Sequence, residues 1–178
     1  MPRQRWQDKL TWIGGVLRDY GAPAHLHEAC ARTGRALSAL PVSRESFGLI
    51  HYDFEPDNVF WDEAADCCRV IDFDDSMYHF YLTDVEQALD AVGDMLEGEA
   101  LAAAREQFLA GYRRHFPLPE DYMAQLPLMR DFCDLYACAR LLRSLSEKPE
   151  VMPEWMPGLC RRLQWRLDIL TAKLAKKP

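Results

Sequence analysis

No stretch of these 178 residues approaches the roughly 18 consecutive apolar positions that a membrane-spanning helix needs. The first ten, MPRQRWQDKL, also lack the apolar centre of a signal peptide. A soluble, cytoplasmic chain with no membrane partner is the expectation. C-x-x-C pairs are missing as well. The six cysteines (Cys30, Cys67, Cys68, Cys133, Cys138 and Cys160) show no metal-ligand spacing, which argues against a zinc ribbon or a disulfide framework and for reduced thiols. Positive charge is in short supply: 21 basic residues against 28 acidic ones give a formal charge of -7, which disfavours a broad nucleic-acid surface. Repeats, low-complexity tracts and Gly/Ser linkers are absent too, so residues 1–178 read as a single domain.

What is present is mostly helical pattern. Trp6, Leu10, Ile13, Val16, Leu17 and Tyr20 recur at helical spacing until Gly21 and Pro23 stop them, and a second helix is expected from Ala24 to Leu40. Between residues 47 and 73 the period changes. FGLI, NVFW and CCRVIDF are short β-branched or aromatic runs, the last two separated by the acidic turn DEAAD, and they read as a small β hairpin carrying a loop. Helical pattern then resumes. It starts at Thr83, where T-x-x-E to Glu86 has the spacing of a capping box, and continues over about 99–115, 127–146 and 154–175. Trp155, Trp165, Tyr136 and Met156 read as core at this spacing, with a pocket lining as the alternative. The fold class is therefore mainly α with a short β hairpin, an α+β arrangement.

The chemistry concentrates in HYDFEPDNVF, residues 51–60. A loop from His51 feeds the strand NVFW, and the returning strand delivers Asp72 near the point where Asn58 began. Asp53, Asn58 and Asp72 then converge. Two carboxylates and an amide oxygen are hard donors that suit magnesium, which prefers a few protein oxygens supplemented by water and phosphate. The bland reading is a solvated Asp/Asn-rich turn, which leaves the joint spacing unexplained.

D-x-x-x-x-N followed 14 residues later by D-F resembles the arrangement of kinases. LIHYDFEPDNVFW with VIDFDD is similar to the H-G-D-x-x-x-x-N and I-D-F-x-D blocks of the aminoglycoside phosphotransferase and choline kinase-like family. The resemblance implies Asp53 as catalytic base, Asn58 and Asp72 as metal ligands, His51 as a brace for the loop, and Asp84 in YLTDVEQAL as the anchor beneath it. It implies Mg2+ and ATP or GTP, and transfer of the γ-phosphate to a hydroxyl of a small cationic molecule such as an aminoglycoside. Asp74 and Asp75 are candidates for binding a substrate ammonium, with a solvated loop as the alternative. Two positions depart from the pattern: Tyr52 replaces the usual glycine, and Asp74 stands where many kinases carry the glycine of D-F-G, both in backbone-sensitive places.

Residues 1–50 lack the strands, phosphate-covering loop and strand lysine of a nucleotide-binding lobe, and Lys9 is the only lysine before His51. The expectation is the C-terminal lobe of a kinase-like phosphotransferase with its N-terminal lobe absent, so that activity of this chain alone is in question. Two other readings stay open: a catalytically inactive kinase lobe that serves as a binding module, and a metal-dependent phosphohydrolase built on H-x-D and D-x-D. A homodimer through surface that a missing lobe would expose is a further expectation, with Trp6, Trp12 and Ile13 as its contributors.

Overall fold

The computed structural model describes residues 3–147 and 152–176. The chain divides into two compact units, one of Met1–Trp6 with Pro41–Arg130 and one of Gln7–Leu40 with Asp131–Pro178. The elements run α1 (Trp6–Asp19), α2 (Ala24–Ala39), β1 (Phe47–Ile50), a single 3-10 turn (Pro56–Asn58), β2 (Val59–Asp62), β3 (Cys67–Val70), β4 (Met77–Phe80), α3 (Leu82–Met95), α4 (Gly98–Arg113), the one-turn α5 (Glu120–Met123), α6 (Leu126–Ser146) and α7 (Met156–Ala175). The helical periods expected from the sequence lie where these helices lie. Among the described residues no helix is long and apolar enough to cross a membrane.

The second unit is all helical. Ile13, Leu17, Leu26, Ala29, Leu135, Ala139, Leu167 and Leu174 form its core, drawn from one face each of α1, α2, α6 and α7. Alternate turns of apolar residues give each helix a stripe that only burial against its neighbours can satisfy. Helix α1 stops because Gly21 adopts a φ of 65°, a left-handed cap that lets the Ala22 N–H reach the Leu17 carbonyl at 2.8 Å. Two expectations from the sequence need correction. Ile13 is 0% exposed and in the first unit Trp6 is 3% exposed, so these two are packing groups, while Trp12 is half-buried with its ring tilted against that of Tyr136 at 5.6 Å. Trp155 and Trp165, read as core, are 63% and 68% exposed.

The first unit carries the β structure, which is more than one hairpin. β2 and β3 form the expected antiparallel hairpin, with Val59 opposite Val70 and Asp62 opposite Cys67. β1 and β4 form a second antiparallel ladder outside it, with Phe47 opposite Phe80 and Ile50 opposite Met77. This nesting sets the path of the loops: residues 51–58 lead from the outer ladder into the hairpin and residues 71–76 lead back out, so the two connections must run side by side. The outer ladder also depends on Gly48. A Cβ there would lie 2.1 Å from the Tyr81 hydroxyl, a separation no side chain tolerates.

Helix α3 starts differently from the sequence reading. It begins at Leu82 after Tyr81, and no side chain caps its first N–H groups. Thr83 is buried and its hydroxyl pairs with His79 Nδ1 at 3.0 Å, while Glu86 accepts from Arg130 Nε at 2.5 Å. The Thr83 hydroxyl also donates to Met129 Sδ at 3.3 Å, so both residues of the expected capping box are taken by other partners. The start of α3 is fixed instead by the chain before it, where the Tyr81 N–H donates to the Ser46 carbonyl at 3.0 Å.

Candidate functional site

The two connections between the ladders are joined by direct hydrogen bonds. The Ile71 N–H donates to the Asn58 carbonyl at 3.0 Å, and His51 Nε2 lies 2.7 Å from the Ile71 carbonyl. A nitrogen facing a carbonyl must carry the proton. The other ring nitrogen, Nδ1, accepts from the Asp53 N–H at 3.2 Å, so the ring is the Nε2–H tautomer and both of its nitrogens are occupied. His51 is buried, with Phe73 at 4.6 Å and Phe54 at 5.8 Å between ring centroids. It ties the first connection to the second and has no lone pair left for a metal.

Asp84, in the first turn of α3, reaches under this loop. Its Oδ2 accepts the His51 N–H at 2.8 Å and its Oδ1 the Tyr52 N–H at 2.9 Å. Burial pushes its carboxyl above the usual carboxylate range, against the opposing pull of the two N–H groups. Tyr52 is the loop's strained residue. Its φ of 65° is left-handed, which costs a side-chain-bearing residue about 1–2 kcal/mol. Neighbours hold it there: Asp84 takes its N–H, Gln87 Nε2 donates to its carbonyl at 2.8 Å, and its ring is 3% exposed.

Asp53 and Asn58 face each other across the turn that Pro56 opens. Asn58 Nδ2 donates to the Asp53 carboxylate at 2.9 Å and to the Asp53 carbonyl at 2.9 Å. The amide nitrogen is thereby occupied, and its carbonyl oxygen is the end left to meet a cation. Asp72 directly follows Ile71 and is exposed, with a φ of 60°. The left-handed residue of this connection is therefore Asp72, while Asp74, the position flagged in the sequence, has no positive φ. Asp74 is exposed, its carbonyl accepting from Arg3 Nη1 at 3.0 Å, and Asp75 is half-buried. Asp53, Asn58 and Asp72 thus stand on two hydrogen-bonded connections and present carboxylate and amide oxygens, the donor set that suits a hard divalent cation.

Beside this loop lies a cavity of about 220 Å³ lined by Phe54, Tyr81, Asp84, Val85, Phe108 and Tyr112. Asp74 and Asp75 are not among its lining residues. A larger cavity of about 260 Å³ includes Glu86, Asp90, Arg105 and Arg130. There the Arg130 guanidinium bridges Glu86 and Asp90, each at 2.5 Å, and no residue of the 51–58 loop contributes.

Several of these residues carried no functional reading in the sequence. Gln87 could have been found, since it lies three positions after Asp84 and so on the same face of α3. Arg3 could not, because nothing local links it to residue 74. The same holds for Phe108 and Tyr112, whose i, i+4 spacing reads as core.

The fold has known counterparts. A family model described as the phosphotransferase enzyme family matches residues 3–123. Among solved structures the chain is similar to amicoumacin kinase hAmiN in complex with AMP-PNP, Ca2+ and Ami, with a TM-score of 0.71 at 19% identity. That likeness, one of fold, takes in 99% of this chain and 53% of the kinase, so the chain spans about half the kinase's length. A search of curated protein sequences finds no match.

Proposed function

Because the chain belongs to the phosphotransferase enzyme family, we propose that its 51–75 region is the acceptor and metal side of an ATP-dependent kinase site that phosphorylates a hydroxyl of a small molecule. The observation that carries this reading is the pairing of Asp53 with Asn58 beside Asp72. Asp53 is the base. With Oδ2 held by Asn58 at 2.9 Å, Oδ1 is the oxygen that takes the proton of the acceptor hydroxyl as the hydroxyl oxygen attacks the γ-phosphorus of ATP and ADP leaves. Asn58 through its carbonyl oxygen and Asp72 through its carboxylate would hold magnesium. When bound, the metal neutralises phosphate charge and orients the nucleotide. His51 and Asp84 position the loop and do not touch the reacting atoms.

Occupation of both His51 nitrogens speaks against the phosphohydrolase alternative, which needs that histidine as a ligand. AMP-PNP and Ca2+ in the structure of the similar kinase support the choice of a nucleoside triphosphate with a divalent cation as co-substrate. The test is thermal denaturation with Mg2+ and AMP-PNP, read against two variants. The double variant Asn58→Ala with Asp72→Ala should lose the stabilisation, because a ligand that binds only the folded state raises stability in proportion to its occupancy. Asp53→Ala should keep most of that stabilisation, because Asp53 is the base and not a metal ligand. An identical response in wild type and double variant would remove these residues from the site.

A further inference from the structure

We propose that the cavity beside Asp53 is the acceptor subsite, and that it selects a hydroxylated molecule with an uncharged aromatic or alicyclic body over a polycation. This rests on the kinase reading above and names the substrate class of that site. Position is the first argument. Phe54, which follows the base directly in the chain, is also one wall of the cavity, which places the cavity next to the loop that carries Asp53. Size is the second. At about 220 Å³ the cavity lies below the roughly 300–1,000 Å³ that drug-sized ligands occupy, and so suits a compact body.

Chemistry decides the class. Four of the six lining residues are aromatic and a fifth is valine. Aromatic faces also attract cations, so the carboxylate has to be weighed. Asp84 is the one acid in the lining, and both its oxygens already accept backbone N–H groups, at 2.8 and 2.9 Å. An ammonium entering the cavity would lose its water and meet a carboxyl group whose oxygens are already shared with two backbone N–H groups and whose charge burial disfavours, a desolvation that ring faces alone do not offset. Burial raises the pKa of Asp84, which weakens it further as a counter-ion for a cation in this cavity. An apolar ring loses nothing on entry and gains edge and face contacts with Phe108, Tyr112 and Tyr81.

The test is nucleotide-free, so its outcome is independent of the metal and AMP-PNP experiment. The 178-residue chain, labelled with 15N, is titrated separately with 3-phenyl-1-propanol, choline and kanamycin, and amide shifts locate each probe. 3-Phenyl-1-propanol should shift the amides of Phe54, Tyr81, Phe108 and Tyr112, and Phe108→Ala should weaken its binding about tenfold, equivalent to about 1.4 kcal/mol. Choline and kanamycin should leave those amides in place. The wild-type shift map stands even where Phe108→Ala fails to fold. Shifts at those residues caused by choline or kanamycin, or none there from 3-phenyl-1-propanol, would overturn the proposal. Cavity binding without any AMP-PNP response would retain the cavity as an apolar site and remove the kinase reading instead.

Discussion

Removing the carboxylate of Asp84 is the sharpest probe of how this loop is held. In Asp84→Ala the His51 and Tyr52 N–H groups lose acceptors at 2.8 and 2.9 Å, and each buried donor left unpaired costs about 1–3 kcal/mol. An opposing effect reduces the total. The raised pKa of Asp84 means that burial penalises its charge by more than the two N–H groups return, and alanine removes that penalty. The net cost is therefore expected near the lower end, about 2–3 kcal/mol, or roughly 4–12 °C in Tm for a protein of this size. Asp84→Asn separates the two effects. It has no charge to bury, yet its amide nitrogen must face one of the two N–H donors, so if the hydrogen bonds dominate it should also lose about 1.5–3 kcal/mol. Chemical denaturation supplies the total, and hydrogen exchange at His51 and Tyr52 locates it, since these two amides should exchange faster by more than the global change. An Asn variant as stable as wild type, with both amides still protected, would refute the reasoning and leave Asp84 a buried acid of no structural consequence.

Three further outcomes are expected. Burial lowers the His79 pKa to about 3 from 6.5, so the unfolded chain binds a proton that the folded chain does not between those values. His79 should therefore make stability fall as pH drops from 6.5 toward 3, by up to about 1.4 kcal/mol for each pH unit, and His79→Gln should flatten the slope of stability against pH measured by urea titration. Gly48→Ala brings a Cβ to 2.1 Å from the Tyr81 hydroxyl and should destabilise by about 1–3 kcal/mol, with recovery in denaturation curves when Tyr81→Ala is added. Asp72→Gly relieves a φ of 60° and should leave stability within about 1 kcal/mol of wild type or above it, while abolishing the Mn2+-dependent rise in Tm. A persistent Mn2+ response would exclude Asp72 as a ligand.

The sequence by itself determined the helices, the β2–β3 hairpin and the short loop that brings Asp53 and Asn58 together, because all three depend on local information. A 3.6-residue period is visible within a few turns, and Asn58 lies only one short turn beyond Asp53. Even the nearness of Asp72 follows from a hairpin whose turn lies in between. Tertiary structure alone decided what each face meets. FGLI reads as a strand, but its partner MYHF lies some thirty residues on, and nothing local pairs β4 with β1. Thr83 and Glu86 have the spacing of a cap, yet they meet Met129 and Arg130, both more than forty residues on, and neither caps the helix. Trp6 and Ile13 are covered while Trp155 and Trp165 are exposed, since periodicity marks an apolar face without saying whether anything lies against it. The cavity is the same lesson at the site: Phe54 is far in sequence from the aromatic pair Phe108 and Tyr112, and only packing of α4 in the first unit makes them walls of one space.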